Sequence, residues 1–283
     1  MYNFTNMHTI GERGQTSSHQ LVINGVNVDQ RVSGLAGVEL ITLAVSGRGL
    51  AQKKHSVVEQ DGIDGALFQT SNFLPRTLSV KVKIQGDNDD SFSSAFSLLN
   101  YLLNSSEIMS LSFTDEPVEY YGYFLTSSEP EDINNEQVVE LNFYCPNPFK
   151  YDIIKTSVEI GNGGAVTVYS EESGHQYDRT IPLVRPNFRI TFPTAVKGFT
   201  LTMNDENKVL NIQSDTAVKI WDIYLDTSIK FPNVTGNREI SKENLRDLSL
   251  DSDFADFGIH GSQRFTVQPE PSKITVDYKG VSL

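Results

Sequence analysis

The chain has 283 residues, 38% of them hydrophobic and 21% charged, long enough to bury the cores of two ordinary domains. Its net charge of -13 is the reverse of the basic concentration that phosphate neutralisation requires, so specific nucleic-acid binding is not expected. A single cysteine, Cys145, permits no internal disulfide, and no Cys/His cluster has zinc spacing.

No apolar run approaches the length of a membrane-spanning helix. The start, Met1-Tyr2-Asn3-Phe4-Thr5-Asn6, lacks the basic region and apolar core of a secretory signal, so synthesis and assembly inside a cell are expected. The charge is uneven. Residues 1–150 carry 9 Lys and Arg against 18 Asp and Glu, a net of -9, and residues 151–283 carry 14 against 18, a net of -4. An acidic surface serves solubility, and it would also suit the lining of a channel through which DNA passes without adsorbing.

The elements follow in chain order. An extended N-terminal segment leads to Leu21-Val22-Ile23-Asn24-Gly25-Val26, whose Asn-Gly pair signals a hairpin turn. A long loop is expected from Ser46 to Phe73, with a turn at Asp61-Gly62-Ile63-Asp64-Gly65. That turn lacks the ligand positions and terminal Glu of a calcium loop. Arg76-Thr77-Leu78-Ser79-Val80-Lys81-Val82-Lys83-Ile84 alternates with period two, placing Leu78, Val80, Val82 and Ile84 on the buried face of an antiparallel strand. Phe92, Phe96, Leu99 and Leu103 recur at helical spacing and predict one short helix from about Asp90 to Asn104. Asp89 to Ser91 are its N-cap candidates, and Phe96 and Leu99 should pack on Val80 and Val82. The run between Glu129 and Glu136 reads as a polar hairpin tip, and Val138 to Cys145 as a strand.

Pro146-Asn147-Pro148-Phe149-Lys150-Tyr151 is the domain boundary, because closely spaced prolines cannot donate to a ladder. This sets domains at 1–150 and 151–283. Beyond it the pattern is almost wholly β. Val158-Glu159-Ile160 and Ala165 to Tyr169, joined by Gly161-Asn162-Gly163-Gly164, read as a hairpin. Further strands are expected at Asn187 to Phe192, Phe199 to Met203, Val209 to Ile212, Ala217 to Leu225, Arg264 to Val267 and Lys273 to Tyr278. Glu243 to Phe257 reads as an acidic exposed loop. Regular short strands imply a sandwich or jelly roll.

Chemistry is sparse. Cys145 is read as a small apolar residue at a strand end rather than a reactive thiol. His8, His19, His55, His175 and His260 are scattered and pair with no nucleophile. Asp222 and Asp226 share a strand face, but roughly 13 Å between their α-carbons suits neither glycosidase geometry, and Glu171-Glu172 and Asp251/Asp253 are weaker. Trp221, the only tryptophan, is either a sugar-stacking platform or, the favoured reading, a packing residue. Ser46-Gly47-Arg48-Gly49 lacks the lysine of a phosphate loop. Asn104-Ser105-Ser106 and Asn233-Val234-Thr235 fit a glycosylation sequon without a secretory context. No catalytic, cofactor-binding or metal residue is therefore assigned, no cofactor is expected, and the chain is not read as an enzyme.

Several weak features in order carry a resemblance. They are the Arg76-led strand, the short helix, Leu111-Ser112-Phe113 before Asp115-Glu116-Pro117, the Tyr120-Tyr121-Gly122-Tyr123 strand, and Cys145-Pro146-Asn147-Pro148-Phe149-Lys150-Tyr151. Over roughly residues 20 to 151 the chain resembles the distal tail protein family of siphophages that infect Gram-positive hosts. That likeness implies a mostly-β fold, with an N-terminal sandwich or split-barrel-like domain bearing one short helix and a C-terminal galectin-like sandwich. It implies a hexameric ring at the distal end of the virion tail, with the tail tube protein, a tail-tip fibre protein and, in some phages, a receptor-binding protein as partners. Ser46 to Phe73 is long enough to reach a neighbour in such a ring. The first 20 residues depart from the short start of the family, and about 130 residues after the boundary leave no room for a sizeable inserted sugar-binding module. The competing expectation is a carbohydrate-binding host adhesin acting through residues 152–283, and a β-sandwich glycosidase is the third.

Overall fold

The computed structural model describes residues 17–59, 61, 64–128, 134–167, 184–225, 233–236, 257–259 and 262–282. It separates into two compact units that meet between Lys150 and Tyr151.

In the first unit, β1 (Leu21–Ile23) and β2 (Val26–Asn27) form a hairpin. Its turn is made by Asn24 and Gly25, with φ of 49° and 79°, the left-handed backbone that this pair predicts. Helix α1 (Val28–Ser33) follows, capped by the Asn27 side chain, which accepts from the Gln30 N–H at 3.0 Å. It adds a second helix to the one expected: at six residues it offers only Val28 and Val32 to the core, too few to show a stripe. Then come β3 (Val38–Ser46), β4 (Lys53–Glu59), β5 (Ala66–Phe73), β6 (Arg76–Gly86), α2 (Asp89–Leu103), β7 (Met109–Phe113), β8 (Val118–Ser127) and β9 (Glu136–Cys145).

Seven of these strands join in the order β2-β1-β7-β8-β9-β6-β3. Strand β8 turns the sheet: Glu119 to Gly122 pair with β7, and Tyr123 to Ser127 with β9. The alternation in β6 is as expected, with Leu78, Val80, Val82 and Ile84 fully buried. They form one core with Leu21, Val28, Leu40, Leu111, Phe113, Leu141 and Phe143.

Two details of α2 differ from expectation. Its N-cap is Asn88, whose side chain accepts from the Ser91 N–H at 2.9 Å, while the Ser91 hydroxyl oxygen accepts from the Asn88 N–H at 3.1 Å. The reciprocal pair satisfies two helix-end donors, which an aspartate one residue later cannot do. The inward stripe is Ala95, Leu99 and Leu103, with Phe92 and Phe96 half-buried on its flank and their rings 4.9 Å apart. A small residue at 95 lets the helix approach the sheet closely, and this displaces Phe96 from the centre.

In the second unit, the strands are β10 (Lys150–Asp152, spanning the junction), β11 (Thr156–Ile160), β12 (Ala165–Thr167), β13 (Asn187–Met203), β14 (Lys208–Tyr224), β15 (Asn233–Gly236), β16 (Ser262–Gln268), β17 (Lys273–Tyr278) and β18 (Val281–Ser282). The order is β11-β17-β13-β14-β15, with β16 on the far half of β13 and β12 on β16. Four expected strands are therefore two long ones. Strands β13 and β14, each of 17 residues, run as a single hairpin that shifts register between Thr191 and Gly198, where Pro193 sits at the irregularity. One half of β13 pairs with β17 and the other with β16, so the long hairpin joins two sets of partner strands in one sheet.

Among the described residues the expected hairpin between Val158-Glu159-Ile160 and Ala165 to Tyr169 does not form, and Val168 and Tyr169 lie outside them. Strand β11 pairs with β17 and β12 with β16. Within the glycine-rich connection, the Gly163 N–H donates to the Phe265 carbonyl at 2.8 Å and the Gly164 carbonyl accepts from the Phe265 N–H at 3.0 Å, which turns the chain onto β16. Phe188, Ile190, Phe199, Leu201, Trp221 and Phe265 fill this unit's core. The mostly-β reading holds in both units.

Candidate assembly interface

The expected loop from Ser46 to Phe73 is instead an arm. Among the described residues, strands β4 and β5 pair only with each other, and residues 53–59 and 64–72 are all exposed. The turn read at Asp61 to Gly65 sits at its tip, although Gly62 and Ile63 lie outside the described residues; Gly65 has a φ of 89°. Val57 pairs with Phe68 and Val58 with Leu67, and paired residues share a face, so each face of the arm carries two apolar side chains. His55 lies beside Phe68, ring centroids 5.9 Å apart.

A polar knot roots the arm. The Arg76 guanidinium, 6% exposed, donates from Nη1 to the carbonyls of Gly47 at 2.7 Å and Gly49 at 2.9 Å, and from Nε to that of Pro148 at 2.9 Å. One buried cation thus ties the approach to β4 and the exit beyond β9 to the first residue of β6. Arg48 donates to Asp115 Oδ1 at 2.8 Å and stacks over the Phe113 ring at 4.9 Å. Gly47 has a φ of 86°, and a Cβ there would lie 2.0 Å from the Thr77 carbonyl oxygen. At the arm's base the Leu74 N–H donates to the Gln52 carbonyl at 2.8 Å, and Phe73 packs edge-on to Phe149 at 5.5 Å.

The residues singled out in the sequence do not converge. Cys145 is fully buried in β9, and burial pushes its thiol up to about 12 while Arg76 opposes the shift. His19 is buried, its Nε2 3.2 Å from the Leu43 carbonyl oxygen. Asp222 is held by Arg189 through two contacts of 2.6 and 3.1 Å. Trp221 is fully buried against Phe199, ring centroids 5.4 Å apart, with Nε1 donating to the Val218 carbonyl at 3.2 Å. It is a packing residue, and the sugar-stacking alternative is overturned. Asn104 closes α2 as its C-cap, and Asn233-Val234-Thr235 lies in β15. His8, Glu171-Glu172, His175, Asp226, Asp251/Asp253 and His260 lie outside the described residues, as do most of the first 20 residues, 129–133 of the expected hairpin tip, and all but Phe257 of the stretch Glu243 to Phe257. Among the described residues no group of three His, Cys, Asp or Glu could hold a metal ion. No helix among them is long and apolar enough to cross a membrane.

One cluster escaped the sequence reading. The buried Asp29 carboxylate in α1 accepts from the Thr42 N–H at 2.7 Å and the Thr42 hydroxyl at 2.6 Å, pinning α1 to β3. Desolvation raises its pKa above the ordinary range, and the Thr42 hydrogen bonds only partly offset this. A lone Asp beside Val28 gives no signal of such a role.

Residues 38–145 match the family described as phage tail protein RIFT-related domain. The distal tail protein of Bacillus phage SPP1 is 26% identical over 157 residues, which is 53% of this chain and 56% of that protein, so the chain spans about half the length of the curated relative it matches. Among solved structures, the SPP1 distal tail protein, described as a paradigm of the hub adsorption apparatus in phages infecting Gram-positive hosts, aligns with a TM-score of 0.66 at 18% identity. That alignment covers 94% of this chain and 99% of that one. A chain of the phage P2 baseplate in its activated conformation aligns with a TM-score of 0.56 at 11% identity, covering 85% and 90%. At such identities the structural likeness shows a shared fold. The relatives are structural tail and baseplate proteins, in agreement with the non-enzymatic reading.

Proposed function

We propose that this chain, which belongs to the siphophage distal tail protein family, is a structural hub at the distal end of the phage tail. In this reading residues 1–150 close into a ring of six copies that continues the tail tube, and residues 151–283 form a galectin-like platform on which other tip proteins dock. The number six and the partners (the tail tube protein, a tail-tip fibre protein and a receptor-binding protein) are those the family resemblance implies. The balance of -9 in residues 1–150 suits a channel that DNA must pass without adsorbing.

The observation that carries the proposal is the arm. A two-stranded hairpin is marginal in water by itself, and this one exposes Val57, Val58, Leu67 and Phe68 on its two faces with no cover from the described residues. A partner that buries it supplies what the isolated chain lacks. Closed cyclic assemblies use heterologous contacts of this kind, one element of each copy reaching onto a different surface of the next. Light scattering and electron microscopy of the purified protein test the reading. A closed particle near six times 31.5 kDa is expected, and a strict monomer from micromolar to millimolar concentration overturns it.

A further inference from the structure

The arm is one half of a contact, and the first unit also displays a surface that fits as the other half. The outer face of β8 and β9 carries Tyr123 opposite Tyr144, 42% and 38% exposed. Next to them the register shifts between Phe124 and Thr126, so Leu125 is the extra residue of a bulge and stands 61% exposed. Phe124 is turned inward onto Phe143, ring centroids 5.8 Å apart. The bulge therefore adds an apolar side chain to an outer face already holding two tyrosines. Aromatic residues on an open sheet face, with hydroxyls that remain wet at the rim, are the composition of a protein-binding patch.

We propose that the Val57/Phe68 face of the arm of one copy packs onto the Tyr123–Leu125–Tyr144 face of a neighbouring copy. The proposal rests on the ring reading above and names the two surfaces that make its junction. Two different apolar patches on one unit, neither covered by the described residues, are what a head-to-tail contact requires, whereas a two-fold dimer would need one self-complementary patch. Charge agrees with the docking. Beyond Phe68 the arm ends in Glu59, Asp61 and Asp64. On the receiving sheet Tyr144 pairs with Thr77, and four residues along β6, roughly 13 Å away, Lys81 is 55% exposed and paired with Glu140 at 3.6 Å. With the aromatic side chains in contact, the four residues from Val57 to Asp61, at roughly 3.3 Å each, carry the acidic tip to the level of Lys81.

The test uses the full-length protein and two variants, Phe68→Glu in the arm and Leu125→Glu on the sheet face. Both side chains are well exposed, so each monomer should fold with an unchanged far-ultraviolet spectrum and melting temperature. Each variant alone should associate at least about tenfold more weakly than wild type, a loss typical of an interface hot spot. Mixed in equal amounts they should give a dimer and nothing larger, because the intact arm of one and the intact face of the other restore a single junction. If Phe68→Glu assembles like wild type, the arm is not the contact. If Phe68→Glu breaks assembly and Leu125→Glu does not, or the mixture gives no dimer, the arm docks on another surface or another tail protein, and the proposal falls while the ring reading stands. A wild-type chain that stays monomeric overturns the ring itself.

Discussion

Truncating Leu99 to Ala tests how the first unit is held together. Leu99 is 3% exposed, sits at the middle of the Ala95–Leu99–Leu103 stripe, and belongs to the same core as Val80 and Val82 on β6. Removing Cγ and its two methyl groups from such a site leaves a cavity that helix and sheet can close only partly, costing about 3 kcal/mol within a range of about 2–5. Phe96 is larger but only half-buried, and Phe96→Ala should cost about 1–2 kcal/mol. For a unit of this size the Leu99 substitution lowers the melting temperature by about 6–12 °C. Trp221 is the only tryptophan and is buried in the second unit, so its fluorescence supplies an internal control. Circular dichroism should show the first unit melting early while the tryptophan transition stays in place. Equal shifts for the two variants, or a loss below about 1 kcal/mol for Leu99→Ala, would refute the packing argument.

Gly47→Ala forces a side chain into left-handed backbone and against the Thr77 carbonyl oxygen, so it should destabilise the first unit by at least about 2 kcal/mol in urea titration. Arg76→Lys keeps the charge but cannot reach three carbonyls; a cost of about 2–3 kcal/mol is expected, together with faster trypsin cleavage after Lys53 and Lys54 as the arm's root loosens. Cys145 should resist a maleimide at pH 8 in the folded protein and react on unfolding. Its folded-state pKa of about 12 lies above the unfolded value of roughly 8.5, so its stabilising contribution is complete below pH of about 8.5 and is lost as pH rises toward 12. Urea midpoints at pH 7 and pH 9.5 should therefore fall further for wild type than for Cys145→Ala.

What could be read from the residues follows from how many faces of each element meet the core. Strand β6 is buried on one face, so Leu78 to Ile84 alternate and could be placed residue by residue. In α2 the period was visible but its phase was not, because Ala95 contributes little to an apolar count while fixing the closest approach of the helix. Strands β13 and β14 looked like four strands because the stretch around Pro193 and Ser214 is polar, and nothing local shows that pairing persists through a bulge. The arm was illegible for a different reason. A core strand shows a long apolar run and a solvent hairpin shows none, whereas Lys53–Glu59 and Ala66–Phe73 each hold one apolar doublet in a polar setting. Val57-Val58 and Leu67-Phe68 fall opposite each other, so the doublets give both faces an apolar pair at the same level of the hairpin. That pattern is wrong for a strand lying on its own core and right for one enclosed by other chains. Under the proposed ring, the residues least explained by the single chain are those that join one copy to the next.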